Sequence, residues 1–384
     1  MTGALDGYRV VEFGHYIPGP YAGMLLADQG ADVIKVEPPG GDPYREDKGF
    51  MVLNRSKKSI TVDLKNEEGK EIARRLVQGS DVLIENYQPG VAEKLGIGYD
   101  RMSALNPKLI YCSVSGFGHS GPYRDIEGWE QVVASVSSYY TEEGNVANPI
   151  YFPVPFASTY AAFQAAYSVT MALYARETIA RGQRIDVTLF GAALKGFGYF
   201  FPQVFGRYRI PFHPQSTWPT TRFYQGSDGE WFFFSATTPA FFVKFCVAVG
   251  KEEWLTDPTF DGAPFFIFPP RNVKATSLLT NLFQTRKRDE WLEFLTAADV
   301  PVARLNTLEE AMEEPQILAN NMIVDVLESD FGTVKEMGLP VNLELNPGAI
   351  KGRSPRLGEN TVEILTATGY SKKEIAALKK NEVI

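Results

Sequence analysis

Short apolar runs alternate with helix-period stretches over the first third of the chain. Tyr8–Phe13 (YRVVEF), Ala31–Glu37 (ADVIKVE), Ile60–Leu64 (ITVDL), Asp81–Glu85 (DVLIE) and Leu109–Ser115 (LIYCSVS) read as strands. Tyr21–Gln29, Glu67–Gln78 and a short Val91–Leu95 segment read as helices between them, and Gly40–Lys58 as a loop. This β–α–β order predicts a parallel sheet with right-handed crossovers. The expected strand ends carry Gly, Asn and aromatic residues, and ligands gather at the carboxyl ends of strands in open α/β sheets. The G-x-G-x-x-G fingerprint is absent after the first strand. Gly14, Gly19 and Gly23 are instead interleaved with Pro18 and Pro20, which argues against a nicotinamide cofactor.

The stretch Tyr151–Phe190 has a different character. Tyr160 to Tyr174 carries no charge and is rich in alanine, so a helix over Thr159–Ala175 is expected to be buried on most sides. Ser158 stands at its entry, where free backbone N–H groups suit an anion; by residue preference it reads as an N-cap. A turn at Ala180–Gln183 and a strand at Arg184–Phe190 follow. Lys195–Thr221 is aromatic, with no regular period. Arg222–Thr237 reads as a hairpin turning at Ser227-Asp228-Gly229. Helices are expected at Phe241–Gly250, Asn272–Phe283 and Asp289–Ala297, with a Phe- and Pro-rich loop at Asp257–Pro270 and a strand at Val300–Leu305. Thr307 and Glu310 form a capping box. A second hairpin near Ser329–Val334 contains Phe331-Gly332, and terminal helices fill Glu359–Ile384. The expected division is a large α/β domain over 1–204, a small domain over 205–320, and a return to the large domain over 321–384.

Composition narrows the function. A chain of 384 residues suits two domains. Its net charge of −8 argues against nucleic acid as a main partner. Cys112 and Cys246 make neither a disulfide framework nor a metal signature, which fits a reducing cytoplasm. His15, His119 and His213 are scattered, so no metal site is expected. No apolar run reaches the roughly 18 residues that span a bilayer. The N-terminus lacks a signal-peptide pattern.

Seven segments in order carry a family resemblance: VVEFG…GPYAGMLLADQGADVIKVEPPGGDPYR, LNRSKKSITVDLK, SDVLIENYQPGVAEKLGIGYDRM, NPKLIYCSVSGFGHSGPY, ARETIARGQRIDVTLF, DVPVARLNTLEEAMEEPQ and SPRLGENTVEIL. The chain resembles the class III coenzyme A transferases, from about residue 5 to the C-terminus. The resemblance implies a Rossmann-like large domain with a parallel sheet, a smaller α+β domain, and two chains interlocked like links. It implies coenzyme A or acyl-CoA as substrate, with no permanently bound cofactor. Tyr16, Ile17, Lys65, Asn86, Tyr87, Lys94 and Leu95 match the family's CoA-contacting positions. Arg55, Lys57 and Lys58 are further cations for the phosphates of CoA. Pro38 departs from the pattern: formyl-CoA transferase has there an arginine that flanks the adenine.

In that family one aspartate attacks the acyl-CoA carbonyl to form a mixed anhydride, and the released thiolate then forms an enzyme–CoA thioester. The position falls on Ser158, in PFASTYAAF, which holds no acid. Serine needs a general base, and no histidine flanks it. The nearest acids are Glu142, Glu143 and Glu177; Asp186 matches a structural position. The histidine of the related racemases falls at Trp129, so a racemase is disfavoured. Glu130 matches an acidic position that orients the site.

The expected reading is therefore the non-catalytic subunit of a heteromeric CoA-transferase, paired with a paralogous catalytic chain, as in the two-subunit succinyl-CoA:benzylsuccinate enzymes. The aromatics Phe197, Tyr199, Phe200, Phe201, Trp218, Phe232, Phe233 and Phe234 would suit an aromatic acid. The alternatives are a homodimeric acyl-CoA lyase, hydrolase or isomerase, and a CoA-binding scaffold without turnover.

Overall fold

A computed structural model describes residues 3–140, 147–196, 218–264, 269–328 and 332–384. It contains a six-stranded, wholly parallel sheet. The strands are β1 (Arg9–Phe13), β2 (Asp32–Glu37), β3 (Lys58–Thr61), β4 (Val82–Glu85), β5 (Ile110–Ser115) and β6 (Arg184–Thr188), in the order β3-β2-β1-β4-β5-β6. Strand order reverses between β1 and β4, and that switch point is where a ligand crevice forms in such sheets. The helices of this part are α1 (Pro18–Asp28), α2 (Gly49–Asn54), α3 (Glu67–Gln78), α4 (Val91–Lys94), α5 (Tyr99–Leu105), α6 (Glu130–Val136), α7 (Phe156–Ile179) and α8 (Leu189–Gly196).

Both faces of the sheet are covered, because alternate strand residues point to opposite sides. Val10, Val33, Ile84 and Cys112 pack under α1 and α7 with Leu26, Ala161, Ala165 and Val169. Val11, Ile34, Leu83 and Tyr111 pack on the other side, against Ile72 and Leu76 of α3 and the C-terminal residues Ile364, Leu365 and Leu378. Burying each such aliphatic side chain contributes about 1.5–3 kcal/mol.

Several expectations shift. The Gly40–Lys58 loop contains α2, and β3 starts at Lys58 rather than Ile60. The strand after the ARGQ turn ends at Thr188 and continues as α8. α7 begins at Phe156, directly after Pro155, so Ser158 is its third residue and not its N-cap. Nor is α7 buried on most sides. It buries Ala157, Ala161, Ala162, Ala165, Val169 and Ala172 and exposes Tyr160, Phe163, Tyr167, Met171 and Tyr174. An uncharged helix is apolar all round, so its periodicity could not say which face is covered.

The chain forms two compact units, one of residues 1–140, 151–209 and 316–384, the other of 141–150 and 210–315. The second unit holds an antiparallel sheet β7-β8-β9 (Thr221–Gln225, Trp231–Ser235, Val302–Arg304). Its core includes Phe232 and Phe234, both fully buried. Those two rings are therefore packing residues and not a surface for an aromatic acid. Phe197, Tyr199, Phe200, Phe201, Glu142, Glu143, His213 and the hairpin tip at Phe331 lie outside the described residues. The Thr307–Glu310 capping box is present, and β10 (Ile323–Glu328) pairs with β11 (Gly332–Met337) in the first unit.

Candidate active site

The carboxyl ends of β1 and β4 are tied together by one side chain. The Asn86 amide accepts the backbone N–H of His15 at 2.7 Å and donates to the His15 carbonyl at 3.0 Å. Gly19 is required at this point, since a Cβ there would meet Asn86 Oδ1 at 2.8 Å. Asn86 thus holds the His15–Ile17 loop by both ends of its amide. The next residue, Tyr16, adopts a left-handed backbone, φ 58°, unusual for a residue with a side chain. Burial, with Lys35 nearby, holds the His15 imidazole below its ordinary range, so it is neutral at pH 7.

A fully buried ion cluster lies behind this loop. Glu12 takes Lys35 at 3.1 Å and Lys57 at 2.6 Å, and Lys35 takes Asp42 at 2.9 Å. Lys57 also donates to the Pro20 carbonyl and to Asn54 Oδ1. Burial drives the Lys57 ammonium down to about 8 despite Glu12. Gly23 makes room for the cluster, as a Cβ would lie 2.6 Å from Glu12 Oε2. Lys57 and Arg55 are therefore not cations for a phosphate. Arg55 is buried on Asp28, Glu336 and the Met337 carbonyl. Lys58 opens β3 at its amino end, the edge away from Asn86, and pairs with Asp32 and Glu363.

The other matched positions line the carboxyl edge. Tyr16 and Ile17 follow β1. Asn86 and half-buried Tyr87 follow β4. Exposed Lys94 and half-buried Leu95 close α4, and exposed Lys65 follows β3.

The head of α7 is closed by an acid. Glu130, the first residue of α6, accepts the Ala157 N–H at 2.8 Å, the Ser158 N–H at 2.8 Å and the Ser158 hydroxyl at 2.6 Å. The helix-terminal N–H groups are occupied by this carboxylate, which stands in for a side-chain cap. Ser158 itself is buried.

A second cluster was not anticipated. Glu85, at the end of β4, is buried. Burial pushes its carboxyl from 4.5 up to about 7, against the hydrogen bonds from Ser113 and the Tyr87 N–H. Ser113 Oγ meets His119 Nε2 at 2.9 Å, and Asp186 Oδ1 lies 3.4 Å from the same nitrogen. This is not a nucleophilic triad, where acid and hydroxyl must use opposite ring nitrogens; Ser113 is also fully buried. A charged residue ending the apolar run DVLIE was the available signal. Among the described residues no cluster of His, Cys, Asp or Glu is arranged to hold a metal, and no helix is long and apolar enough to cross a membrane.

The model of CoA-transferase family III matches residues 5–361. The chain belongs to CoA-transferase family III. It is 33% identical to the succinyl-CoA–D-citramalate CoA-transferase of Chloroflexus aurantiacus, over 99% of this chain and 98% of that one. It is 30% identical to the succinate–glutarate CoA-transferase of Agrobacterium fabrum, over 94% of each. The crystal structure of a CaiB/BaiF family protein from Brucella suis superposes with a TM-score of 0.81 at 30% identity, covering 96% of this chain and all of that one. For a family III CoA-transferase, acyl-CoA and a carboxylic acid are the fitting substrate classes.

Proposed function

We propose that this chain is the acyl-CoA-binding, non-catalytic subunit of a heteromeric family III CoA-transferase, with the covalent carboxylate supplied by a paralogous partner. The observation that carries this reading is the closure of the α7 head by Glu130. Family chemistry needs a carboxylate free to attack an acyl-CoA carbonyl, and Ser158 stands at the position the resemblance gives to that group. The Ser158 proton is directed at Glu130, and Glu130 accepts three hydrogen bonds. That carboxylate is engaged in holding the helix head and does not stand free to attack an acyl-CoA carbonyl. An acyl-serine, if formed, would also be lower in energy than the thioester and would not return its acyl group to CoA. Tyr16, Ile17, Lys65, Asn86, Tyr87, Lys94 and Leu95 are the proposed CoA-contacting residues, along the carboxyl edge of the sheet. The exposed α7 stripe supports a second chain against this unit, in the interlocked manner of the family.

The test is to incubate the purified chain, alone and with its paralogue, with succinyl-CoA and look for a hydroxylamine-sensitive protein adduct by intact mass. The expected adduct appears on the partner only. An adduct on this chain that disappears in Glu130→Gln would sink the proposal.

One observation favours a second reading. The 2.6 Å contact is also the geometry of a carboxylate acting as general base on a serine, which would make the chain an acyl-CoA hydrolase. Free thiol released from acyl-CoA by the isolated chain, and abolished by Ser158→Ala, would support it.

A further inference from the structure

Two large rings stand open beside the closed helix head. Trp129 is 50% exposed and Tyr16 is 37% exposed. Their centroids are 5.1 Å apart at 76°, edge to face, and Tyr44 extends the group at 6.2 Å from Tyr16. Neither ring is loosely held. The Trp129 indole N–H donates to Glu127 at 3.1 Å. Tyr16 sits in a left-handed backbone fixed by the Asn86 grip on His15 and by its own N–H on Asp42. Strain of that kind persists only where the surroundings over-determine it, and it gathers at ligand clamps.

Location gives the rings a role. Trp129 is bonded directly to Glu130, whose carboxylate holds Ser158, and Tyr16 is on the loop that leads from β1 to α1, at the switch point where β1 and β4 are neighbours. An acyl-CoA with its thioester near Ser158 would bring the acyl group to Trp129, with the adenine at the far end of the pantetheine arm.

We propose that Trp129, braced edge to face by the CoA-contacting Tyr16, forms an aromatic platform for the acyl group, so that this subunit selects acyl-CoA substrates whose acyl chain carries an aryl ring. The inference rests on the acyl-CoA-binding reading above. Rigid aromatic pairs of edge-to-face geometry favour a third ring over an alkyl chain of equal area. Trp129 also has no proton to exchange at an α-carbon, which suits selection and not acid–base work.

The test is calorimetric binding of phenylacetyl-CoA, butyryl-CoA and free CoA to the full chain, in the assembly in which it purifies. Trp129→Ala should weaken phenylacetyl-CoA by roughly two- to tenfold and leave the other two within error, while Trp129→Phe retains most of the preference. An equal loss for all three ligands would mean that Trp129 serves CoA itself, and would overturn the proposal. So would unchanged binding of phenylacetyl-CoA to a folded Trp129→Ala. If the unmodified chain binds free CoA in no assembly, the acyl-CoA reading fails and takes this inference with it.

Discussion

A single carboxyl group decides much at the residue scale, in two places. At the head of α7, Ser158→Asp would bring a second carboxylate against Glu130, where the hydroxyl now lies at 2.6 Å. Like charges that close cannot both ionise, so one of the pair would be held protonated. Ser158→Asp alone should therefore give little hydroxylamine-sensitive adduct with succinyl-CoA at pH 7, and Ser158→Asp with Glu130→Gln clearly more, read by intact mass. Equal adduct from both would show that Glu130 does not oppose the acid. At the end of β4, Glu85 titrates at about 7 in the fold against 4.5 ordinarily. Between those values the folded chain keeps a proton that the unfolded chain has released, so stability falls as pH rises from about 4.5 to about 7 and is level above. The whole effect is ~3 kcal/mol at 1.36 kcal/mol per pH unit. Glu85→Gln should remove that slope, so its urea midpoint relative to the parent rises between pH 4.5 and 7. A parallel pair of profiles would refute the assignment.

At the scale of elements, the buried ions behind β1 and β2 make the sharpest stability prediction. Removing one partner of a buried pair costs about 3–5 kcal/mol, because the other charge stays unsolvated. Glu12→Gln leaves both Lys35 and Lys57 without their shared acid and should cost that much by urea unfolding. Lys65→Gln, on the exposed edge, should change stability by less than about 0.5 kcal/mol. These elements also show where reading the chain succeeds and fails. β1, β2, β4, β5 and α3 were legible because their apolar spacing is local and each is bounded by its own turn or cap, such as the Asn66 cap of α3. The start of α7 was not, because its cap is Glu130, 28 residues away along the chain. Arg55 and Lys57 looked like phosphate ligands because residue type does not reveal burial; their acids come from β1, α1 and β11. The stretch PFASTYAAF plainly holds a serine and no acid, but the carboxylate that accepts the Ser158 hydroxyl was visible only in three dimensions.

For the molecule as a whole, the open feature is the apolar stripe on the outer side of α7. Tyr160, Phe163, Tyr167, Met171 and Tyr174 lie on one side of a 24-residue helix, with Tyr174 82% exposed and Tyr167 63% exposed. An apolar strip of this kind suits association with a second chain, the proposal that charge placed on it would test. The inner side of the same helix is fully packed on β5, β6 and α1, so charge placed on the outer side acts on association and not on the core. Tyr167→Glu combined with Tyr174→Glu should therefore leave the thermal midpoint of the isolated chain nearly unchanged, as surface substitutions do. The same pair should weaken assembly, with itself or with the co-expressed paralogue, by at least about tenfold, since a buried unpaired charge costs well over the 1.4 kcal/mol that a tenfold change represents. Sedimentation of parent and variant, alone and with the paralogue, measures this. A parent that remains monomeric in both settings would show that the stripe is not an interface. A variant that still assembles with the paralogue would place the contact on another face, and the closed head of α7 would then have to be explained without a partner beside it.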